Sequence, residues 1–365
     1  MRPEAIEAML PFLDVRFANP SGSHRFARSV RGAVDDAREV VAAAVGCDAG
    51  EVVFTGGGTE SDNTAVLGAI ARRGGIAVCP AVEHHAVLEC VVSSGGRIVG
   101  VDAHGSVCLD ELESILAGCP DVGVVSVMAV NNEVGTITDL AAVARVVRAV
   151  APGALLHTDA VQAASWLDLR SVTPHVDLLS LSAHKFGGPK GVGVLVCRNG
   201  AAVEPLLIGG GQERERRSGT HNVAGIVATA VALASTAAER DAEGARIGAL
   251  RDALVDAVVE ALDDVRETVP RDRKVAGSAH LCIAGVENEA LLFLLDESGV
   301  CASAASACAA GAMEPSHVLA AMGVPREWAT GALRLTLGRT TTEADVERGA
   351  TAVVEAVRRL RRSRS

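Results

Sequence analysis

Short runs of β-branched residues alternate with stretches of helical periodicity over the first two-thirds of the chain, and few architectures accept that pattern. The runs are Val52-Val-Phe54, Ile76-Ala-Val78, Arg97-Ile-Val-Gly-Val101, Val122-Gly-Val-Val-Ser-Val-Met128, Leu155-Leu-His157, Val176-Asp-Leu-Leu-Ser-Leu181 and Val192-Gly-Val-Leu-Val196. Between them lie helical patterns such as Asn63 to Arg73, Leu109 to Leu116 and Leu140 to Val150. Most of the runs are apolar throughout rather than alternating, so they predict strands covered on both faces: an α/β protein with a mostly parallel central sheet and helices on either side. A helical pattern then runs from Asn222 to Leu262 with a breaker near Glu243-Gly244, followed by strand-like His280 to Ala284, helix-like Asn288 to Glu297 and strand-like Ala332 to Leu337. A closing helix starts at Thr341-Thr-Glu-Ala-Asp345, where a hydroxyl cap precedes early acids. At 365 residues the chain exceeds the usual single core. The expectation is a large domain over residues 15–245 and a smaller α/β domain made of 246–365, to which residues 1–14 return as a helix.

Charge narrows the function. Lys and Arg number 34 against 45 Asp and Glu, a net charge of -11, so the field of the molecule repels polyanions and stable nucleic-acid binding is not expected. The Arg358-Arg-Leu-Arg-Arg362 tail reads as a helix end complementing its dipole. The nine cysteines are scattered singly with no C-x-x-C pair and no secretory leader before them, which suits a reducing, cytoplasmic protein without a metal site. No apolar run reaches the ~18 residues of a membrane span. Most cysteines lie in apolar runs, and Cys301 is read with them as core. Cys308 differs, because it stands among tiny residues in Ser303-Ala-Ala-Ser-Ala-Cys-Ala-Ala-Gly311, a composition of loops rather than core strands.

Lysine is scarce. Only Lys185, Lys190 and Lys274 stand among the 34 basic residues, and a lysine can form an imine where an arginine cannot. Lys274, in Arg271-Asp-Arg-Lys274, reads as an ordinary surface charge. Lys185 lies in Ser180-Leu-Ser-Ala-His-Lys-Phe-Gly-Gly-Pro-Lys-Gly191, directly after a predicted strand and beside Ser182 and His184. One strand away, Asp159 in Leu156-His-Thr-Asp-Ala-Val-Gln162 falls at the carboxyl end of a buried strand, the edge where open α/β sheets bind ligands. It could pair with a protonated pyridine nitrogen or simply cap the next helix. Phe54-Thr-Gly-Gly-Gly-Thr-Glu-Ser-Asp-Asn63 runs from a strand through three glycines into a helix opening at Thr59, so bare N–H groups converge where a phosphate could sit. It lacks both the P-loop and dinucleotide spacings. Imine carbon, phosphate and ring nitrogen are the three needs of pyridoxal phosphate chemistry.

With these segments in place the chain resembles the cysteine desulfurases, within the aminotransferase class V group of fold-type I pyridoxal phosphate enzymes, from about Arg2 to about Arg359. Further matching segments are Asn19-Pro-Ser-Gly-Ser-His24, Glu83-His-His-Ala-Val-Leu88, Asn131-Asn-Glu-Val-Gly135, Gly209-Gly-Gly-Gln-Glu-Arg214, Arg217-Ser-Gly-Thr220, Ser306-Ala-Cys308, Glu314-Pro-Ser-His-Val-Leu319 and Leu333-Arg-Leu-Thr-Leu-Gly338. The resemblance implies conversion of L-cysteine to L-alanine, with sulfur passed to Cys308 as a persulfide and on to an acceptor protein, an iron-sulfur scaffold or a sulfur carrier. It implies that Lys185 forms the imine with the cofactor, Asp159 holds the pyridine nitrogen protonated, Gln162 bonds the ring hydroxyl, and His84 stacks on the ring and acts catalytically as a proton relay. Gly58, Thr59, Ser182 and His184 would bind the phosphate, joined by Thr220 from the other subunit of a homodimer. Asn132 would contact cofactor or substrate, and Arg334 would clamp the substrate carboxylate with its planar fork. A related class V lyase, such as a selenocysteine lyase, an aminotransferase, or a non-catalytic relative are the competing readings.

The chain departs from the family in three places. Family members carry an Asn-Ala-Ala-Thr-Thr-Pro type strand lining the substrate pocket, and this chain begins just after it at Met1-Arg-Pro-Glu, so either a start upstream or an incomplete pocket is expected. Ala305 replaces a glycine common before the Ser-Ala-Cys motif. Gly187 replaces a common aromatic residue.

Overall fold

The structure is a computed structural model describing residues 1–198, 200–304 and 316–363. The chain divides into two compact units, the first made of Met1–Val99, Leu109–Ala129 and Thr138–Arg240, the second of Gly100–Cys108, Val130–Ile137 and Asp241–Ser365.

The first unit is built on a sheet of seven strands: β1 (Val52–Thr55), β2 (Ile76–Pro80), β3 (Arg97–Val99), β4 (Val122–Ser126), β5 (Leu155–Asp159), β6 (Leu178–Ser182) and β7 (Gly193–Cys197). Their order is β1-β7-β6-β5-β4-β2-β3; β7 runs antiparallel to both neighbours and every other pairing is parallel. Every residue of β1, β5, β6 and β7 is buried, as continuous apolar runs require when both faces are covered. Helix Gly58–Arg73 contributes the buried Ala65, Val66 and Ala69 to the core around Val53, Val124 and Leu178. Because the six remaining strands share one direction, the carboxyl ends of β1, β2, β5 and β6 lie along one edge of the sheet, and the glycine turn after β1 and the Lys185 segment after β6 begin there.

The amino-terminal helix Pro3–Leu13 belongs to this first unit rather than returning to the smaller one. Arg2 holds its start: its N–H donates to the Gly187 carbonyl at 2.8 Å, and its guanidinium donates to Thr236 Oγ1 at 3.1 Å and Glu239 Oε2 at 2.9 Å. The contact also accounts for Gly187. Its φ is +86°, and a Cβ there would stand 2.7 Å from Cγ of Arg2, so an aromatic residue would be strained and would displace the arginine.

The second unit carries a small antiparallel sheet, ordered β10-β9-β8, of β8 (Val265–Glu267), β9 (Ser278–Ile283) and β10 (Ala332–Thr336). Helix Asn288–Glu297 and the closing helix Glu343–Arg362 follow the expected pattern, the latter opened by a capping box between Thr342 and Asp345. In the terminal arginines, Nη2 of Arg361 donates to the Ala284 carbonyl and Nη1 to that of Asp263.

Three expectations are corrected here. The helix Val223–Ala261 is continuous through Gly244, where a Cβ would meet nothing within 4 Å; a glycine inside a helix costs only about 1 kcal/mol, too little to break a helix of 39 residues. By length and composition this helix could cross a membrane, and 56% of its most apolar window is buried in the protein. Lys274 is not a surface charge: its Nζ is fully buried and meets Oε1 of Glu267 at 2.5 Å, because its backbone bridges to Thr136 and draws the side chain inward. Cys301 is exposed rather than core, since it follows the Gly299 turn and precedes the short bridge at Ser303.

Candidate active site

The glycine turn after β1 and the Lys185 segment after β6 touch. A Cβ on Gly58 would stand 2.8 Å from Val161 Cγ2 and 3.2 Å from Ser182 Cβ, and one on Gly193 would stand 2.5 Å from the Gly57 carbonyl. Backbone therefore meets backbone here, which only glycine allows. Gly57 precedes the helix with no side-chain cap, so the first N–H groups of Gly58–Arg73 are not consumed by a capping side chain. Ser182 is buried, and its hydroxyl bonds Nδ1 of His184 at 2.9 Å. Thr59, His184 and Lys185 are exposed at this edge, and Lys185 lies in the single turn Ala183–Phe186.

Asp159 ends β5. Its Oδ1 accepts from the Val161 N–H at 2.8 Å, so part of the carboxylate does cap the next turn, where half-buried Gln162 follows. Burial raises its pKa to about 6, against the Val161 N–H and the opposing charge of Lys185. The direction has a consequence. An acid whose folded pKa lies above its unfolded one destabilises the fold as pH rises through that interval, so the cofactor-free protein should lose stability between about pH 4 and pH 6 on this account. Asp159→Asn should therefore unfold at higher denaturant than the parent at pH 8 and lose that advantage below pH 4. An equal midpoint at pH 8 would remove electrostatic strain from Asp159.

Beneath it lies a polar layer that sequence reasoning missed. Buried His157, two residues earlier on the same face of β5, bonds Ser126 Oγ at 2.8 Å and Ser180 Oγ at 2.9 Å, while Asp62 Oδ1 stands 3.7 Å from its Nε2. Burial lowers the His157 pKa to about 3 and raises Asp62 and Glu83 well above the carboxylate range, with the Asp159 charge adding to both. Asp159 thus stands among groups that resist charging. The period-2 spacing of His157 and Asp159 was the available signal.

His84 caps helix His85–Ser93, its Nδ1 accepting from the Ala86 N–H at 3.1 Å, which leaves the neutral ring's proton on Nε2. The segment leading to Thr220 is held by two ion pairs. Arg38 and Glu213 form a buried bidentate pair at 2.7 Å, with Glu213 also accepting from the Phe54 N–H and His221, and Arg217 meets Glu60, which in turn accepts from the Gly56 N–H. Burial opposes the Glu213 charge, but the Arg38 and His221 bonds outweigh it and bring its pKa down to about 2. These contacts hold Glu213, Arg214 and Glu215 at φ of 50°, 58° and 66°, a left-handed run that non-glycine residues otherwise avoid. Thr220 itself is exposed.

Asn132 and Arg334 belong to the second unit, where Nη1 of Arg334 donates to the Asn132 carbonyl at 3.0 Å. Neighbouring Glu133 is buried and accepts from the Ser316 hydroxyl. Cys308 and Ala305 lie outside the described residues. Among the described residues no cluster of three metal-ligating side chains occurs.

The aminotransferase class-V model matches residues 1–348. An IscS-like cysteine desulfurase of Mycobacterium tuberculosis is 43% identical over 376 residues, covering 100% of this chain and 95% of that protein. The cysteine desulfurase IscS of Dictyoglomus turgidum is 40% identical over 354 residues, covering 95% of this chain and 89% of that protein. Among solved structures, a NifS-like protein superposes with a TM-score of 0.90 at 33% identity, covering 97% of this chain and 95% of the other.

Proposed function

The chain belongs to the aminotransferase class-V family and is a pyridoxal-phosphate-dependent cysteine desulfurase, and from that premise we propose which residues carry each step. The observation that carries the reading is the meeting of Gly58 with Ser182 beside buried Asp159 and exposed Lys185 at one edge of the first unit's sheet.

These residues suit the cofactor. The side-chain-free approach at Gly58, the uncapped helix start and the Ser182 hydroxyl offer donors for a phosphate, with Thr59 and His184 alongside. Asp159, held where its charge is poorly tolerated, is relieved by a cationic ring nitrogen. His84 offers a ring face, and Gln162 a partner for the ring hydroxyl. When bound, the cofactor supplies an electron sink that weakens the bonds around Cα of an amino acid.

Lys185 would hold the cofactor through its amine and, with substrate bound, would take the Cα proton as general base. Arg334 receives the L-cysteine carboxylate, with Asn132 ordering that guanidinium through its carbonyl. The Cys308 thiolate attacks the substrate sulfur: an S–S bond forms, the Cβ–S bond breaks, the carbon retains the electron pair and is protonated, and alanine leaves while Cys308 holds a persulfide. The persulfide passes to a sulfur-acceptor protein, an iron-sulfur scaffold or a sulfur carrier. We place the reaction in a homodimer, with Thr220 of each protomer reaching the other's phosphate, and in a reducing, cytoplasmic setting that suits the eight described cysteines, all free thiols.

The purified protein, given pyridoxal phosphate and L-cysteine, should form alanine, and in dithiothreitol release sulfide in equal amount. Amino-group transfer to a keto acid without sulfide would make it an aminotransferase. A cofactor absorbance band that cysteine leaves unchanged would make it a non-catalytic relative.

A further inference from the structure

The chain on either side of residues 305–315 is tied to one place in the second unit. On the amino side, the Ser303 N–H donates to the Arg334 carbonyl at 3.2 Å, and its carbonyl accepts from the Arg334 N–H at 2.8 Å. On the carboxyl side, the buried Ser316 hydroxyl donates to Oε2 of Glu133 and accepts from the Val318 N–H at 3.0 Å, so it caps helix His317–Ala321 and fixes where that helix starts. The two ties meet, because the Arg334 guanidinium donates to the carbonyl of Asn132, the residue before Glu133.

Glu133 is held on a rigid turn. The Asn131 side chain accepts from the Glu133 N–H at 2.9 Å and the Val134 N–H at 3.0 Å, and Gly135 closes the turn at φ +83°. The residue is only 3% exposed. Burial pushes its pKa up to about 7, against the Ser316 hydroxyl and the Arg334 charge. A residue that only filled this space would be apolar, since burying an acid costs free energy that packing alone does not return. None of the steps above uses it.

We propose that Glu133 is a positioning residue for sulfur transfer: through Ser316 it ties the chain that follows Cys308 to the turn that also receives Arg334, so the nucleophile's segment and the carboxylate clamp share one support. The inference rests on the assignment of Cys308 as nucleophile and Arg334 as clamp. It separates two steps. Cysteine binding depends on Arg334, which keeps its backbone pairing without Glu133, whereas the attack by Cys308 depends on placement, and a misplacement of about 1 Å costs ~10²-fold in rate.

The test uses the holoenzyme as wild type, Glu133→Ala, Glu133→Gln, Ser316→Ala, Ser316→Thr and the double variant Glu133→Ala/Ser316→Ala. The dissociation constant for L-cysteine is read from the cofactor's absorbance, and the single-turnover rate from alanine formed. Glu133→Ala and Ser316→Ala should each slow the turnover about 10- to 100-fold while the dissociation constant stays within about twofold. The double variant should be no slower than the slower single one, as two ends of one link require. Glu133→Gln, whose amide oxygen still accepts, and Ser316→Thr, which keeps the hydroxyl, should stay within about threefold of wild type. Unchanged rates, multiplying effects, or an equal loss in binding would overturn the proposal. If Glu133→Ala does not fold, Ser316→Ala against Ser316→Thr carries the same test.

Iodoacetamide labelling separates this inference from the assignment beneath it. The rate at which the Cys308 peptide is alkylated without substrate should change several-fold in Glu133→Ala and not in Glu133→Gln. An unchanged alkylation rate counts against the tie even if Cys308 is the nucleophile. Wild-type alanine formation by Cys308→Ala removes the nucleophile assignment whatever the Glu133 variants do.

Discussion

Lys185→Ala should reduce alanine formation from L-cysteine by at least about 10³-fold, because in the proposed mechanism one amine both tethers the cofactor and moves the Cα proton. Lys185→Arg should do the same, since a guanidinium stays protonated and forms no imine. Borohydride reduction followed by peptide mass analysis locates the attachment: the wild type should carry a reduced pyridoxyl group on Lys185, and both variants none. Lys190, exposed in the same segment, is the natural control. Lys190→Arg should keep both the adduct and the activity. A pyridoxyl group on Lys190, or on Lys274 with its buried Glu267 partner, would overturn the assignment.

The second large effect is expected at Cys308. Cys308→Ala should retain cofactor, should still change its absorbance when cysteine is added, and should lose at least about 10²-fold in alanine and sulfide formation. The contrast with Lys185→Ala is the point, because Cys308→Ala keeps the proposed cofactor tether and lacks only the proposed sulfur nucleophile. In the wild type treated with one equivalent of cysteine, mass analysis should find the added sulfur on the Cys308 peptide. The buried Cys90 and Cys197 and half-buried Cys47 make poor competitors: desolvation pushes the Cys90 and Cys197 pKa values up to about 11 and Cys47 up to about 12, far from a thiolate at neutral pH. Exposed Cys301 is the one to watch. Sulfur found on Cys301 in place of Cys308, with activity retained in Cys308→Ala, would reassign the nucleophile.

Much of the candidate site was legible because its parts are punctuation marks of local structure. Asp159 and Ser182 end apolar runs, Gly58 opens a helix after a run of glycines, and Lys185 follows a strand by three residues. Strand ends and helix starts are decided by neighbours in the chain, so periodicity and turn residues suffice to place them. In a sheet with mostly one strand direction, those ends share an edge. Gly187 shows the limit: as a letter it is only a departure from a family pattern, and its reason, the Arg2 side chain against it, comes from the far end of the unit.

What was not legible shares one cause. Arg38 and Glu213 stand 175 positions apart, Glu133 and Ser316 183, and nothing local marks either member as buried. Lys274 reads as a surface charge until its backbone is seen bridged to Thr136. In the first unit the order of the sheet, with β7 set antiparallel between β1 and β6, is likewise a property of the whole fold that no single segment announces.

The sequence by itself determined most of the elements, the sheet edge where the candidate site residues gather and the scarce lysine proposed to form an imine, because these depend on residue type and short-range spacing. Only the tertiary structure decided which charged and polar groups are buried and whom they pair with. Burial is a property of the assembled sheet and not of any segment, and an ionisable side chain takes its proton affinity from the neighbours that topology brings to it.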